Sequence, residues 1–263
     1  MPELPDVEHY RRVVDDHMIG RTISRIEAPD PSVLRNCGPA ALGRQLHGRR
    51  FIGAERRGKW LIVATSGPTI MFHFGMTGSL EWSPGRNHRH LHTRVVFVTS
   101  VGELRYRDQR KLRGIWLAHT PEAVSAIIGT QGPDALDLTA TDLRRALWGR
   151  HRAIKTVLMD QSVVAGLGNM LTDEILWRAR VHPDRDADAL DIGQVLRLHR
   201  SLQSVLRRAV AAGRIPRTRS WLSGARDTTA PRCPRCLTPL RDSRIAGRRS
   251  LWCPQCQPSS TST

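Results

Sequence analysis

Residues 233–256 read CPRCLTPLRDSRIAGRRSLWCPQC, in which sixteen residues separate two CxxC pairs. Each pair can offer two thiolates to one metal ion, and a hairpin between the pairs can bring all four together. The spacing therefore predicts a zinc ribbon that binds one structural Zn²⁺. Two disulfides are the alternative, but disulfides persist mainly in oxidising compartments, and the prolines beside the cysteines suit the turns of a metal ribbon. The expected ligands are Cys233, Cys236, Cys253 and Cys256.

The chain carries a large positive charge. Its 263 residues include 41 lysines and arginines against 24 acidic residues, a net charge of +17. No run approaches the roughly 18 apolar residues of a membrane span, and the start MPELPD lacks the basic and apolar regions of a signal peptide. We therefore expect a cytoplasmic protein with no membrane partner. Because the charge is spread along the chain instead of forming one terminal block, nucleic acid is the favoured partner.

Short apolar runs separated by turn residues dominate the first 120 residues. Such β-branched runs, broken by Gly, Pro and Ser, are typical of a β-sandwich. One segment differs, since residues 7–18 place Val7, Tyr10 and Val14 on one helical face. We expect strands at residues 23–26, 51–54, 61–64, 69–74, 95–99 and 104–107.

Helical periods follow residue 120. Residues 121–137 predict a short helix and a Gly-Pro linker, and Thr139 with Asp142 predicts a capping box at the start of the next helix. Asp191 is a further start signal. The helix after it should bury an apolar stripe made of Val195, Leu198, Leu202, Val205, Leu206 and Ala209.

Residues 193–226 contain eight arginines and no acidic residue. A solvated surface normally mixes charges of both signs, so a segment of one sign over this length is expected to face a polyanion. On the polar side of the helix we expect His199, Arg200, Gln203 and Arg207.

Several short motifs occur in a fixed order along nearly the whole chain. They are PELPDVE at residues 2–8, RGKWL at 57–61, HFGMTG at 73–78, GLGN at 166–169 followed by Asp173-Glu174, and the ribbon with its ending CPQCQ. Each motif alone has a simple structural interpretation. In this order they resemble the bacterial formamidopyrimidine-DNA glycosylase and endonuclease VIII family, and the leading Pro-Glu-Leu-Pro and Lys155 favour the formamidopyrimidine branch.

The resemblance implies an α+β fold and a bifunctional DNA glycosylase and abasic-site lyase of base excision repair. The expected partner is double-stranded DNA that contains a lesion or an abasic site, bound by a monomer at the bacterial nucleoid. The domains would be an N-terminal catalytic β-sandwich with an early helix at 1–120, a linker at 121–138, a helix-two-turn-helix domain at 139–228, the zinc finger at 229–258 and a disordered tail at 259–263.

Pro2 and Glu3 would carry the chemistry. A small residue at position 2 allows removal of the initiator methionine, which exposes a secondary amine; an α-amino group of pKa about 8 is partly unprotonated at neutral pH. Such an amine can attack a sugar C1′ and form an iminium ion. The adjacent carboxyl group could move protons. Taken alone, Pro2 would be only a stiff leader.

The resemblance also assigns residues that contact the lesion strand or fill the space left in the duplex by the everted nucleotide. Lys59 and Arg248 would serve the active site by holding phosphates, and Met76 would be a wedge in the space that the everted nucleotide leaves. The amides of the turn at residues 165–169 would approach a phosphate closely. The remaining expected DNA contacts are His73, His92, Arg110, Leu112, Lys155 and Asn169.

The chain also departs from the family pattern. Leu112 replaces an aromatic residue that packs beside the orphaned base, and Met170-Leu171 replaces Ile-Tyr. The segment between residues 213 and 233 is shorter than in typical 8-oxoguanine enzymes. The family resemblance therefore does not predict which lesion this protein prefers. Arg249 competes with Arg248 for the phosphate role, but alternate residues of a hairpin strand face opposite sides, so only one of the two should point at DNA.

Three other functions are compatible with parts of the sequence. One is an endonuclease VIII-like glycosylase for oxidised pyrimidines or bulky lesions, and another is a catalytically silent protein that binds damaged DNA. A zinc-ribbon transcription factor would explain the ribbon and the charge but not the N-terminus. Pro2, Glu3 and Lys59 argue against the silent protein, since binding alone requires none of them.

Overall fold

The computed structural model describes residues 1–85 and 87–259. The chain divides into two compact units. Met1–Pro2 and Asp6–Gly129 form the first, called here the β unit; Glu3–Pro5 and the chain from Thr130 onward form the second, called the helical unit. Of the tail predicted at 259–263, residues 260–263 lie outside the described part. Within the described residues, no helix is both long and apolar enough to cross a membrane.

The β unit contains two four-stranded antiparallel sheets, which confirms the predicted β-sandwich. Side chains from both sheets share one buried core, among them Phe72 of one sheet and Phe97 and Tyr106 of the other. The first sheet has the order β1 (Arg25–Glu27), β6 (Thr93–Val98), β7 (Glu103–Arg107) and β5 (Ser79–Ser83). The second has the order β2 (Phe51–Arg57), β3 (Trp60–Thr65), β4 (Thr69–His73) and β8 (Gly114–Ala118).

Two of these strands were not predicted. β5 reads SLEWS, which is too polar for an apolar run, and β8 directly follows a basic loop. A long-range contact fixes β8, because Leu34 bridges to Ile115 and a Cβ on Gly114 would lie 1.9 Å from the carbonyl oxygen of Val33. Glycine is therefore required where this strand begins.

Three helices belong mainly to the β unit: α1 (Leu4–His17), α2 (Pro39–Leu46) and α3 (Pro121–Ile128). The predicted helix at residues 7–18 begins three residues early, at Leu4, because a proline such as Pro5 is tolerated in a first helical turn. Val7, Val14 and Met18 are buried in the sandwich core.

The helical unit comprises α4 (Ala140–Leu147), α5 (Ile154–Met159), α6 (Asn169–Ala179), α7 (Ile192–Ala211) and α8 (Leu222–Ala225), followed by the hairpin strands β9 (Arg241–Ile245) and β10 (Arg248–Trp252). The capping box of Thr139 and Asp142 is present, and Asp191 forms a second one with Gln194. The predicted apolar stripe of α7 is buried.

The polar side of α7 differs from the prediction. His199 Nε2 lies 2.8 Å from the carbonyl oxygen of Leu138, and Gln203 Nε2 donates to the carbonyl groups of residues 135, 136 and 138. These two side chains bind the linker instead of facing outward. Arg200 and Arg207 of the same helix are exposed, as expected.

Candidate active site

The Glu3 carboxylate lies at the N-terminus of α6 within the helical unit. It is fully buried. The backbone N–H groups of Gly168 and Leu171 donate to Oε2 at 2.8 and 3.1 Å, and that of Met170 donates to Oε1 at 2.9 Å. A helix N-terminus stabilises negative charge, so these donors hold the carboxylate in one place as an acceptor.

The two glycines before α6 are explained by this contact. A Cβ on Gly168 would lie 2.3 Å from Cδ of Glu3, and a Cβ on Gly166 would lie 2.5 Å from Cδ1 of Leu4. Gly166 also has a φ of +105°, which disfavours any side chain. The structure corrects one part of the sequence interpretation: within the turn at residues 165–169, the N–H of Gly168 binds the protein's own carboxylate and is not available to a phosphate.

Asn169 is the first residue of α6, and its side chain does not cap the helix. Its Oδ1 is buried and accepts no hydrogen bond from the described residues. The side-chain amide is thus not used to stabilise the helix end.

In the β unit, Lys59 lies in the turn between β2 and β3, after Gly58 with a φ of +56°. The next residue, Trp60, pairs in register with His73 of β4, and their rings meet edge to face at 4.8 Å. Burial, with the charges of Arg113 and Lys59, lowers the pKa of His73 to about 4. The N–H of Gly75 donates to His73 Nδ1 at 3.1 Å, which leaves Nε2 to carry the proton of the neutral ring. His73 can therefore act as a neutral donor.

Met76 and Arg110 lie side by side in two different loops of the β unit. Arg110 Nη1 is 3.0 Å from Sδ of Met76. Leu112, two residues further, is 52% exposed. His92 accepts the backbone N–H of Asp108 through its carbonyl oxygen at 3.1 Å, so it flanks the same loop. The structure thus brings Met76 and Arg110 into contact, whereas Leu112 lies in the same loop as Arg110 and His92 binds the start of that loop.

The structure corrects the prediction that Lys155 contacts DNA. Its side chain is 1% exposed, and Nζ donates to Asp173 Oδ1 at 2.6 Å, to Ser250 Oγ at 2.7 Å and to the carbonyl oxygen of Arg249 at 2.9 Å. Burial lowers the pKa of Lys155, although the Asp173 charge opposes this effect. Because an ammonium group has three N–H donors, none remains for a phosphate.

Asp173 is a supporting residue that the sequence interpretation missed. Its Oδ2 accepts Nη1 of Arg226 at 2.6 Å and the N–H of Leu251 at 3.2 Å. Arg226 also donates to the carbonyl oxygen of Arg249 at 3.1 Å. Asp173, Lys155 and Arg226 therefore fix strand β10 to α6. The only signal was a pair of acidic residues in a largely apolar helix, and Arg226 had been assigned to the polyanion-facing segment.

Arg248 and Arg249 have different surroundings. The Arg249 guanidinium pairs with Asp242, lies 3.9 Å from Asp227 and donates to the carbonyl oxygen of Arg226 at 3.2 Å. The Arg248 side chain is exposed, and among residues 1–85 and 87–259 its guanidinium makes no hydrogen bond or ion pair. It lines a recess between α5 and the ribbon hairpin.

The four ribbon cysteines form one cluster, with their sulfur atoms within 4.8 Å of one another. The shortest separations are 3.5 Å, too long for the bond of about 2 Å in a disulfide. Four ligands at about 2.3 Å from a tetrahedral ion would be about 3.8 Å apart, so the cluster could hold a metal ion. Trp177 of α6 donates through Nε1 to Sγ of Cys233 at 3.3 Å and links the cluster to the helix.

Two family models match most of the chain. The formamidopyrimidine-DNA glycosylase N-terminal domain matches residues 1–115, and the H2TH domain of the same family matches residues 130–220. A formamidopyrimidine-DNA glycosylase of Symbiobacterium thermophilum is 37% identical over 98% of this chain and 90% of its own length. The chain belongs to the formamidopyrimidine-DNA glycosylase family. It is accordingly a DNA glycosylase of base excision repair, and abasic-site lyase activity is consistent with that family.

Other members support this assignment. The formamidopyrimidine-DNA glycosylase of Moorella thermoacetica is 37% identical over 93% of this chain and 95% of its own length. The Lactococcus lactis enzyme bound non-covalently to abasic-site DNA has a TM-score of 0.86 and 29% identity, covering 98% of this chain and all of that one. The Lactococcus lactis enzyme with DNA that contains N7-benzyl-Fapy-dG has a TM-score of 0.87 and 30% identity, with the same coverage.

Proposed function

We propose that this family member removes a damaged base by attack of the Pro2 nitrogen on the sugar C1′, with Glu3 moving protons. The observation that supports this most directly is the placement of Glu3. Glu3 directly follows Pro2 in the sequence, and three backbone amides at the start of α6 hold its carboxylate. A buried carboxylate with fixed geometry suits proton transfer, which requires a group within hydrogen-bond reach of the reacting atoms.

The nitrogen of Pro2 must first be freed by removal of Met1, because in the Met1–Pro2 bond it is an amide. The amine then bonds to C1′ while the glycosidic bond breaks, and the electron pair leaves with the base, which takes up a proton. Opening of the sugar ring gives an iminium ion. Loss of a C2′ proton expels the 3′ phosphate, and a second elimination expels the 5′ phosphate. Glu3 would shuttle the protons of these steps.

The proposed DNA contacts fall into two groups. Arg248, Lys59 and Asn169 are proposed to hold phosphates of the lesion strand, with His73 as a neutral donor. Met76, Arg110 and Leu112 would occupy the space vacated by the everted nucleotide, flanked by His92. Lys155, whose donors are all used within the protein, is proposed to hold β10 instead of touching DNA.

The cysteine cluster fits Zn²⁺ because four sulfurs of one cluster match its preference for tetrahedral thiolate sites. Cys233, Cys236, Cys253 and Cys256 would hold the ion. Zinc bound this way is structural, since thiolates take all four positions and leave none for a reacting water. The role of the four cysteines would be to hold in place the hairpin that carries Arg248.

The relatives' name points to ring-opened formamidopyrimidines, and the Lactococcus lactis enzyme has been solved in complex with DNA that contains N7-benzyl-Fapy-dG. We propose the same lesion class here, excised from duplex DNA by a monomer at the nucleoid. The proposed domains are a catalytic domain at 1–120, a linker at 121–138, a helix-two-turn-helix domain at 139–228 and a zinc finger at 229–258.

Borohydride reduction tests the proposed nucleophile, because it traps an iminium ion between protein and abasic-site DNA as a covalent adduct. The wild-type protein should trap, Pro2→Gly should trap weakly, and an extra residue retained before Pro2 should abolish trapping. Mass spectrometry of the adduct should place the sugar on residue 2. Normal trapping by the blocked protein would show that the nucleophile lies elsewhere.

A further inference from the structure

Two turns of the β unit carry the residues proposed to enter DNA. Met76 lies in the turn between β4 and β5, and Arg110 lies in the loop between β7 and β8. More than thirty residues separate them in sequence, so the local geometry of either turn cannot set the distance between them. A contact between the turns must do so.

The carboxylate of Asp108 makes that contact. Asp108 is 1% exposed. Its Oδ1 accepts the Thr77 hydroxyl at 2.6 Å and the backbone N–H of Arg110 at 3.1 Å, and its Oδ2 accepts the Tyr106 hydroxyl at 3.3 Å. One buried carboxylate thus binds both turns and the strand that precedes the second.

The Thr77 hydroxyl completes the link. While it donates to Asp108, its Oγ1 accepts the backbone N–H of Arg110 at 2.9 Å. Thr77 is exposed as a residue, so its methyl group adds little to the core. The Thr77 hydroxyl donates one hydrogen bond and accepts another at the same time, and the two bonds join the turns.

The backbone of Asp108 is fixed from a third side. Its N–H donates to the carbonyl oxygen of His92 at 3.1 Å, and its own carbonyl oxygen accepts Nε of Arg94 at 2.7 Å. The backbone of Asp108 is therefore anchored by Arg94 of β6 and by His92, which directly precedes that strand. The turn of Met76 is closed locally, because the N–H of Gly78 donates to the carbonyl oxygen of Phe74 at 2.8 Å, so the contact with Asp108 relates one formed turn to the other.

We infer that Thr77 and Asp108 are positioning residues that hold Met76 and Arg110 at one separation, so that both side chains enter the DNA together. The inference rests on the proposed wedge function of Met76 and Arg110. Preorganisation is the physical reason: two loops that are already joined lose less conformational freedom when they order against DNA.

Thr77→Val tests the inference, with Thr77→Ser as its matched control. Valine keeps the branched shape but lacks the hydroxyl, whereas serine keeps the hydroxyl. The measurement is single-turnover excision from a duplex with a ring-opened lesion, divided by borohydride trapping of the same variant on single-stranded abasic DNA. The Val variant should lose about tenfold in this ratio, and the Ser variant should stay within about twofold of wild type.

A double-mutant cycle shows whether Thr77 acts through Met76. Met76→Ala alone should lower duplex excision, and Thr77→Val should then lower it by a smaller factor than it does when Met76 is present. If the Val and Ser variants both match wild type, or if the Val loss is undiminished beside Met76→Ala, the inference is overturned. An unchanged rate for Met76→Ala would overturn the wedge function and the inference with it. If the wild-type protein fails to trap abasic DNA, the proposed attack of Pro2 on C1′ is wrong, and this result is distinct from a failure of the inference.

Discussion

Arg248 and Arg249 show how much the role of an arginine depends on its partners. They are consecutive in β10, yet the charge of Arg249 is balanced by Asp242 and Asp227, while the guanidinium of Arg248 has no such partner among the described residues. An arginine already paired with carboxylates must lose those contacts before it can bind a phosphate, whereas Arg248 loses only water. We therefore expect Arg248 to contribute more to DNA binding.

Alanine substitutions separate the two arginines. Arg248→Ala should weaken binding to abasic-site DNA by about tenfold and reduce the slope of log affinity against log salt by about one, because one fewer phosphate counterion is released. Arg249→Ala should leave that slope unchanged. Fluorescence anisotropy at several salt concentrations provides both values. A larger slope change for Arg249→Ala would reverse the assignment.

Sequence reasoning at single residues succeeded where a role depends on local chemistry. The capping boxes at Thr139 and Asp191 were predictable because their partners lie three residues away. Lys155 was misplaced because its partners, Asp173, Arg249 and Ser250, come from distant parts of the chain. No local sequence pattern distinguishes a lysine that binds a phosphate from one that is paired with a carboxylate of the same protein, as Lys155 is with Asp173.

Helix α6 connects features that are far apart in sequence. Its N-terminus holds Glu3, its second turn holds β10 through Asp173, and its third holds the cysteine cluster through Trp177. The sequence predicted the turn that contains the glycines before it. It did not reveal that Gly168 is small in order to admit Glu3, since that contact spans 165 residues. The same limit explains the unpredicted strands β5 and β8, which depend on pairing more than on composition.

Disruption of the cysteine cluster should act on this part of the molecule alone. Cys233→Ser removes a proposed zinc ligand, so we expect less than one zinc per chain and a loss of DNA affinity of about tenfold or more, as the hairpin of Arg248 loses its fold. Cys37→Ser is the matched control, because Cys37 lies in the β unit outside the cluster.

Metal analysis and circular dichroism check the expectation. The strands of the β unit should remain folded in the Cys233→Ser variant, because their core is separate from the cluster of Trp177, Leu251 and the ribbon cysteines. Full zinc content with normal affinity in this variant would contradict the proposed role of the ribbon.

At the scale of the whole molecule, the segment before the ribbon bears on lesion choice. It is held at several points: Glu174 accepts the N–H of Leu222 at 2.7 Å, Arg226 pairs with Asp173, and a Cβ on Gly224 would lie 2.2 Å from the carbonyl oxygen of Thr218. A short segment fixed in this way is poorly suited to fold over an everted base as a mobile cap.

We therefore expect 8-oxoguanine opposite cytosine to be a poor substrate. This lesion keeps most of its stacking and pairing, so the enzyme must offset a few kcal/mol on eversion, and a missing cap removes contacts that would do so. Leu112 offers less stacking area than an aromatic residue. Excision should be about tenfold or more slower than for a ring-opened base, whereas abasic DNA, which presents no base, should still be cleaved.

Single-turnover kinetics on matched duplexes that differ only in the lesion provide the comparison. The opposite base should be varied as well, since Leu112 is proposed to lie on the side of the orphaned partner. Equal rates for 8-oxoguanine and the ring-opened base would show that the short segment does not limit recognition.

The division of the chain just after Pro2 has a consequence for recombination. Pro2 groups with the β unit, whereas Glu3–Pro5 group with the helical unit that supplies their backbone partners. An exchange of everything beyond residue 129 between two relatives would therefore give Glu3 a foreign binding site. A chimaera would tolerate this only where the incoming turn has glycine at the positions of Gly166 and Gly168. Residues 3–5 and 166–171 should thus be inherited together, although they lie on opposite sides of the division at residue 129.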